Sequence, residues 1–401
     1  MPELNDTIRA PIGDAFYVDG VRLPIGRAKD TGYYAGTRAD DLSVRAIRAL
    51  LERNPSVPAD RIDDVVWAAT AQVGDQGLTL GRSLAILAGL GNQVPGYALD
   101  RMCAGALTAI VNAGNAIRVG AQDLVLAGGV EHMGHHPMGA EVDPNPRFLS
   151  DKLVDGSALV MGNTAENLHD EFPAVTRERC DEYALGSQER VGKAQADGVF
   201  DDHVVPATVW SAEAGWQVVR VDEHPRPGTT MDDLVKLRSP FRPGGYVTAG
   251  NAAGLNDGAG GVLLASKAAV EEYGLTPTMR IRDYTFVGVA PETMGSGPIP
   301  ATEKLLGRAG LSIGDLDVID MNEAFAVQCV AFLDHFGLPL DAPNVNPYGG
   351  AIAMGHPLAF SGARLAMQVA TYFKRNPDAQ LGLTTMCVGL GMGAAILWER
   401  V

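Results

Sequence analysis

Short apolar runs, rich in β-branched residues, recur along the chain at 64–69, 96–100, 123–128, 261–265, 279–287, 318–321, 381–386 and 394–399. Each stops at glycine or a small polar residue, and most are followed by a helical pattern, so they constrain the fold more than any other feature. Runs this apolar suit strands covered on both faces, and their alternation with helices predicts an α/β protein with layered sheets. A length of 401 residues exceeds one ordinary core and calls for about two or three domains. The 48 glycines follow no collagen period, so they read as tight turns and close backbone approaches.

The two ends share a weak repeat. In the first half a strand ending at Asp100 meets Cys103, an Ala-rich helix runs to about Val119, and a strand ends at Gly128-Gly129. In the second half Asn344-Val345-Asn346 leads through Gly349-Gly350 to His356-Pro357, then a helix, then a strand ending at Cys387. Cys103 and His356 thus occupy matching places between a strand and a helix N-terminus, where the helix dipole favours a thiolate or an anion. Between about 136 and 256 prolines interrupt the pattern and charged amphipathic stretches replace buried strands, which predicts an inserted lobe of helices with a hairpin. Trp210 and Trp216 flank the expected turn at 211–215.

With 32 basic against 48 acidic residues, the formal charge of −16 opposes nucleic acid and anionic lipid surfaces as partners. An anionic ligand would have to be held by helix N-termini, backbone amides or a few placed arginines. Cys103, Cys180, Cys329 and Cys387 are scattered without a CxxC pair, as in a reducing compartment. The acidic N-terminal residues lack the pattern of a secretory signal, and no apolar run reaches the roughly 18–20 residues of a membrane span. These features predict a cytoplasmic protein.

Cys103 precedes small residues that permit tight helix packing, and at a helix start its pKa would be depressed, making it a nucleophile. Taken alone it reads more readily as a small buried hydrophobe. His356, crowded by Gly349, Gly350 and Gly355, could act as a base or oxyanion donor held at a turn, or be a structural loop histidine. Cys387 opens Cys387-Val388-Gly389-Leu390-Gly391-Met392-Gly393, which lacks the third glycine of a dinucleotide fingerprint and precedes a strand. It reads as a turn exposing amides and a thiol. Asn322-Glu323-Ala324-Phe325 stands at a strand's C-terminal end, a place for chemistry or for helix capping. The loop from Thr248 to Ala259 is rich in turn formers. His132, His135 and His136 have no cysteine nearby and no HExxH spacing, so no metal site is expected.

Together these blocks resemble the thiolase family. The resemblance runs from Tyr17 to the C-terminus and rests on the Cys103 helix, residues 250–259, Asn322 to Phe325 with residues 349–357, and residues 387–393. It implies a layered α/β/α/β/α fold of two pseudo-repeated halves with an inserted loop domain. The first half would be 1–135 with 257–278, the loop domain over the coenzyme A site 136–256, and the second half 279–401. It also implies acyl transfer. Cys103 attacks the 3-keto carbon of a 3-oxoacyl-CoA as His356 takes its proton, Cys387 protonates the departing acetyl-CoA carbanion, and coenzyme A attacks the acyl-cysteine. One oxyanion site would be the backbone amides of Cys103 and Gly389, the other His356 with a water held by Asn322.

By the same resemblance Met161, Arg226, Ala253, Ala324 and Phe325 contact coenzyme A, which is a substrate; no tightly bound cofactor is implied. A homodimer or homotetramer is implied, with a β-oxidation multienzyme as a further partner. The chain departs from the family pattern at Ala253, where serine is common, at Gly105-Ala106 in place of Ser-Gly, and at Phe360 and Leu390, which are expected to reshape the acyl pocket. Val160 stands where acetoacetyl-CoA-specific members carry histidine, which favours degradation of longer 3-oxoacyl-CoA substrates over acetoacetyl-CoA condensation. A ketoacyl synthase would lack the second reactive cysteine, and a non-catalytic acyl-CoA-binding member of the fold remains an alternative.

Overall fold

The computed structural model describes residues 12–140, 142–211 and 215–401; the acidic N-terminal segment and the tip of the Trp210–Trp216 turn lie outside them. In chain order the strands are β1 (Phe16–Arg22), β2 (Gly26–Arg27), β3 (Asp64–Ala68), β4 (Gly96–Leu99), β5 (Leu124–His132), β6 (Ala207–Ser211), β7 (Gly215–Val219), β8 (Asn256–Ala265), β9 (Met279–Gly288), β10 (Val318–Met321), β11 (Leu381–Val388) and β12 (Met392–Arg400). The helices are α1 (Ala39–Arg53), α2 (Leu80–Ala88), α3 (Gly105–Arg118), α4 (Arg147–Ser150), α5 (Met161–Glu171), α6 (Arg177–Ala196), α7 (Met231–Val235), α8 (Lys267–Tyr273), α9 (Pro298–Ala309), α10 (Ala326–Phe336), α11 (Ala351–Met354) and α12 (Ser361–Arg375). Among the described residues no helix is long and apolar enough to cross a membrane.

Strand order β10-β11-β12-β9-β1-β8-β5-β3-β4 forms one mixed sheet, with β2 paired to β8 and β6–β7 a separate hairpin. The repeat is visible in the pairing. β3 lies parallel to β5, and β5, β8 and β1 then pair antiparallel; likewise β10 lies parallel to β11, and β11, β12 and β9 then pair antiparallel. Val345 bridges in parallel onto Ile319 of β10, as β4 does onto β3. Among the described residues the halves are joined edge to edge through Phe16–Arg280 and Tyr17–Met279, with the Ile281 N–H donating to Ala15 O (3.1 Å) alongside.

Alternation along the strands sets the layers. In β3, Val65 and Trp67 face α1 and α2 while Val66 faces α3; in β12, Ala395 and Leu397 face α9 and α10 while Ala394, Ile396 and Trp398 face the central layer. α3 and α12 fill that centre between the two half-sheets, giving α/β/α/β/α. The segment between β5 and β8 shares its apolar residues with all the layers: Ala207, Val209 and Val219 join the α1/α2 side, Leu168, Cys180 and Tyr183 the α9/α10 side, and Val199 and Phe200 the central cluster.

The strands differ most from expectation where glycine reads as an ending. β5 continues through Gly128-Gly129 to His132, and β8 begins at Asn256, five residues before the apolar run. Gly128 pairs with Gly261 and Gly129 with Gly260. A Cβ on Gly128 would fall 2.7 Å from the Trp67 ring, and one on Gly260 2.6 Å from the Phe360 ring. These glycines therefore admit aromatic rings to both faces of a continuing ladder.

Candidate active site

Leaving β4, the Asp100 carboxylate accepts the Met102 N–H (2.6 Å), and Met102 adopts φ 43°, turning the chain sharply into Cys103 and α3. Gly105 is needed at this entry, since its Cβ would fall 2.7 Å from Ala68 Cβ and 3.2 Å from Ala359 Cβ. Cys103 is 6% exposed. Burial pushes its thiol up to about 12, with the Glu131 and Asp100 carboxylates adding to the effect, while the N–H groups of Gly389 and of Cys103 itself oppose it. This corrects the expectation of a depressed pKa at the helix start: desolvation outweighs helix end and amides, and Cys103 rests as a thiol.

His356 enters through Gly355, at φ 105°, whose Cβ would fall 2.5 Å from the Asn256 amide; Asn256 Oδ1 accepts the His356 N–H (3.0 Å). Gly355→Ala is therefore expected to lower kcat about tenfold by displacing the imidazole, with a melting temperature lower by several degrees, as steady-state kinetics and a thermal melt would read. His356 Nδ1 lies 2.6 Å from Ser361 Oγ, and Ser361 spends its own proton on Pro357 O (3.0 Å). The imidazole proton consequently sits on Nδ1 and the lone pair on Nε2. Burial, reinforced by the Arg364 guanidinium, pushes the His356 pKa down to about 3, so the ring is neutral.

Asn322 Nδ2 faces that Nε2 at 3.3 Å, and the buried side chain does not cap α10, whose N-cap is Phe325. Gln328 Nε2 donates to Asn322 O (2.7 Å), which turns Gln328 Oε1 toward Cys387; the thiol donates to it at 2.8 Å. Burial raises the Cys387 pKa, so this second sulfur also rests protonated. The carboxylate of Glu323 accepts from Tyr183 Oη (3.1 Å), Ser187 Oγ (2.6 Å), Asn346 Nδ2 (2.8 Å) and Ile352 N (3.2 Å), locking the end of β10 to α11 just before His356. On the first-half side the Glu131 carboxylate holds the Thr70 and Ala359 N–H groups and the Gln76 amide.

Cys103, Gly389, Cys387, His356 and Asn322 are thus brought into one buried centre. Cys387 shares an apolar cluster with Met294, Ala324, Met161 and Phe325, and Ala253 N–H donates to Ala324 O (2.9 Å). Arg226 lies on the surface outside this cluster, its N–H on Gln188 Oε1 (3.0 Å). Leu390 is exposed at φ 61° beside Gly391 at 77°, in the hairpin turn between β11 and β12. Phe360, expected in the acyl pocket, is fully buried in the central layer against Gly258 and Gly260. His132 faces the Tyr34 and Thr37 carbonyls, and His135 and His136 face Asp75; no group of three or more metal-ligating side chains is present among the described residues.

Ser361, Arg364, Gln328 and Asn256 escaped sequence reasoning. The available signal was weak: Ser361 and Arg364 open the helix after His356, and Gln328 lies one turn into the helix after Asn322.

Residues 15–268 match the thiolase N-terminal domain and residues 275–400 the thiolase C-terminal domain. A beta-ketoadipyl-CoA thiolase of Escherichia coli is 43% identical over 97% of this chain and 100% of its own length. A 3-ketoacyl-CoA thiolase of Idiomarina loihiensis is 42% identical, again over 97% and 100%. The crystal structure of human mitochondrial 3-ketoacyl-CoA thiolase superposes with a TM-score of 0.88 at 34% identity, covering 98% of this chain and 100% of that one. Two buried thiols, a neutral imidazole and these matches over nearly the whole length converge on one conclusion: the chain belongs to the thiolase family of acyltransferases, which act on coenzyme A thioesters.

Proposed function

We propose that the protein cleaves 3-oxoacyl-CoA thiolytically to acetyl-CoA and a shortened acyl-CoA through an acyl-Cys103 intermediate. The observation that carries this reading is the pair of buried thiols, one under the Gly389 N–H and the other held by Gln328, beside a neutral imidazole with its lone pair on Nε2. His356 Nε2 takes the Cys103 proton as sulfur bonds to C3, and the C3 oxygen takes up charge against the Cys103 and Gly389 amides. As the C2–C3 bond breaks, Cys387 gives its proton to C2 and acetyl-CoA departs. Coenzyme A sulfur then bonds to the acyl carbon as its proton passes to the Cys387 thiolate, and Cys103 departs and recovers the proton held on His356 Nε2, which restores the resting site. Gln328 Oε1 favours Cys387 as a proton donor, which suits cleavage; condensation needs the same sulfur as the base. Met161, Ala253, Ala324 and Phe325 line the proposed pantetheine channel, Arg226 serves the nucleotide end, and the inserted segment covers it.

Val160, at the N-cap of α5 immediately before Met161, supports substrates longer than acetoacetyl-CoA. The names of the relatives place 3-oxoadipyl-CoA, a dicarboxylic substrate, in the same test. Thiolysis rates on 3-oxoacyl-CoA substrates of increasing chain length, with 3-oxoadipyl-CoA included, are expected to show kcat/KM at least about tenfold above that for acetoacetyl-CoA, the value of roughly two buried methylenes. A preference confined to acetoacetyl-CoA would overturn the degradative reading.

A further inference from the structure

An amide side chain can present oxygen or nitrogen to its neighbour, and at Asn322 the choice decides what the site offers a substrate oxygen. Asn322 Oδ1 receives Arg364 Nη2 at 3.1 Å, and guanidinium has only donors, so the amide nitrogen must face His356 Nε2. Arg364 is itself held: fully buried on α12, it donates to Gln368 Oε1, and Gln368 Nε2 donates to Gly349 O (3.2 Å). The nearest carboxyl group is Asp320 of β10, also buried, with an oxygen 3.9 Å from Nη1; burial pushes its pKa up to about 8 against the pull of Arg364. Among the described residues neither Asp320 oxygen has a hydrogen-bond partner. Arg364 therefore makes no hydrogen bond to Asp320, and its directed contacts are those to Asn322 Oδ1 and Gln368 Oε1.

We propose that Arg364 is a positioning residue for acyl transfer, fixing the Asn322 amide so that its N–H and the His356 Nε2–H formed during reaction point at one common acceptor. Once Nε2 is protonated, a flipped amide would offer it Oδ1, and the two side chains would satisfy each other and leave the substrate oxygen with neither donor. Arg364 prevents that closure by holding Oδ1 from the other side. The proposal rests on the acyl-transfer reading above.

The test is a kinetic cycle. Arg364→Met is paired with Asp320→Asn so that no lone charge is buried. In an otherwise unaltered protein the pair is expected to lower kcat about 10²-fold, the scale of one lost oxyanion donor, with KM changed less than about twofold. In an Asn322→Ala background the same pair should lower kcat by less than about twofold, because the group it orients is gone. Equal losses in both backgrounds, or undiminished kcat in the first, would overturn the proposal. Neutron diffraction on the unaltered, deuterated protein gives a second reading that needs no variant: the Asn322 amide deuterons are expected on the His356 side, and deuterons facing Arg364 would refute it. An unaltered protein inactive on every 3-oxoacyl-CoA would sink the function reading while leaving the amide orientation standing; additive losses in an active protein would sink this inference alone.

Discussion

Replacing Cys103 with alanine is expected to reduce thiolysis by about 10⁴-fold or more while leaving the fold intact. The side chain is small and buried, so its loss costs stability only about 1 kcal/mol. Its chemistry has no substitute. Cys387 is the second thiol at the centre, but burial keeps it protonated and it is held by Gln328 Oε1. Because burial holds the Cys103 thiol at about 12 and His356 at about 3, a thiolate–imidazolium pair is disfavoured before substrate arrives. Proton transfer is therefore coupled to carbon–sulfur bond formation, when the negative charge moves to an oxygen facing the Gly389 and Cys103 amides. Mass spectrometry after mixing with a 3-oxoacyl-CoA alone should show an acyl adduct on the unaltered protein and none on Cys103→Ala. Activity near that of the unaltered protein would remove Cys103 from the mechanism.

Asp222→Ala is expected to destabilise the protein by about 3–5 kcal/mol, because it strands a buried cation. Arg22 of β1 meets Asp222 through Nη1 (2.6 Å) and Nη2 (2.9 Å), with both side chains essentially inaccessible, and Asp222 Oδ1 also accepts the Ile25 N–H (2.8 Å). Arg22 Nε already lacks a partner among the described residues, and its remaining contacts, Leu23 O at 3.3 Å and the Phe200 ring, carry no compensating charge. The pair ties the inserted segment to the first half-sheet. Urea denaturation should read the loss, and Arg22→Met with Asp222→Leu should recover much of it, since the pair then leaves as a unit. A change below about 0.5 kcal/mol for Asp222→Ala would show that the insertion is held by other contacts.

The layered architecture was legible because buried strands leave short apolar runs, and β10 spans the run expected at 318–321. β1 was missed: Asp19 and Gly20 break its pattern, and its place between β8 and β9 depends on partners more than 230 residues away. The glycine-rich parts of β5 and β8 were misjudged because local sequence cannot show that an aromatic ring needs the space. In the site, the small residues around Cys103 and His356 marked them only as candidates and the family resemblance supplied their roles, whereas the ionisation of Cys103 was not legible, since burial decides it. Asn256, which holds the His356 backbone, lies 100 residues away in sequence, and no local pattern records such a meeting. Phe360, a departure from the family pattern, packs against Gly258 and Gly260 in the same central cluster as Cys103.

Cys103, the proposed nucleophile, belongs to one pseudo-repeat, and His356 and Cys387 belong to the other. During synthesis the first repeat emerges with its thiol well before the remaining parts exist, at roughly 5–20 residues per second. Until β11 and α12 dock, Cys103 has neither the Gly389 amide nor His356, and it is an ordinary cysteine. On the proposed function, thioester chemistry therefore requires the finished molecule, and the joint between the repeats doubles as a check on completion.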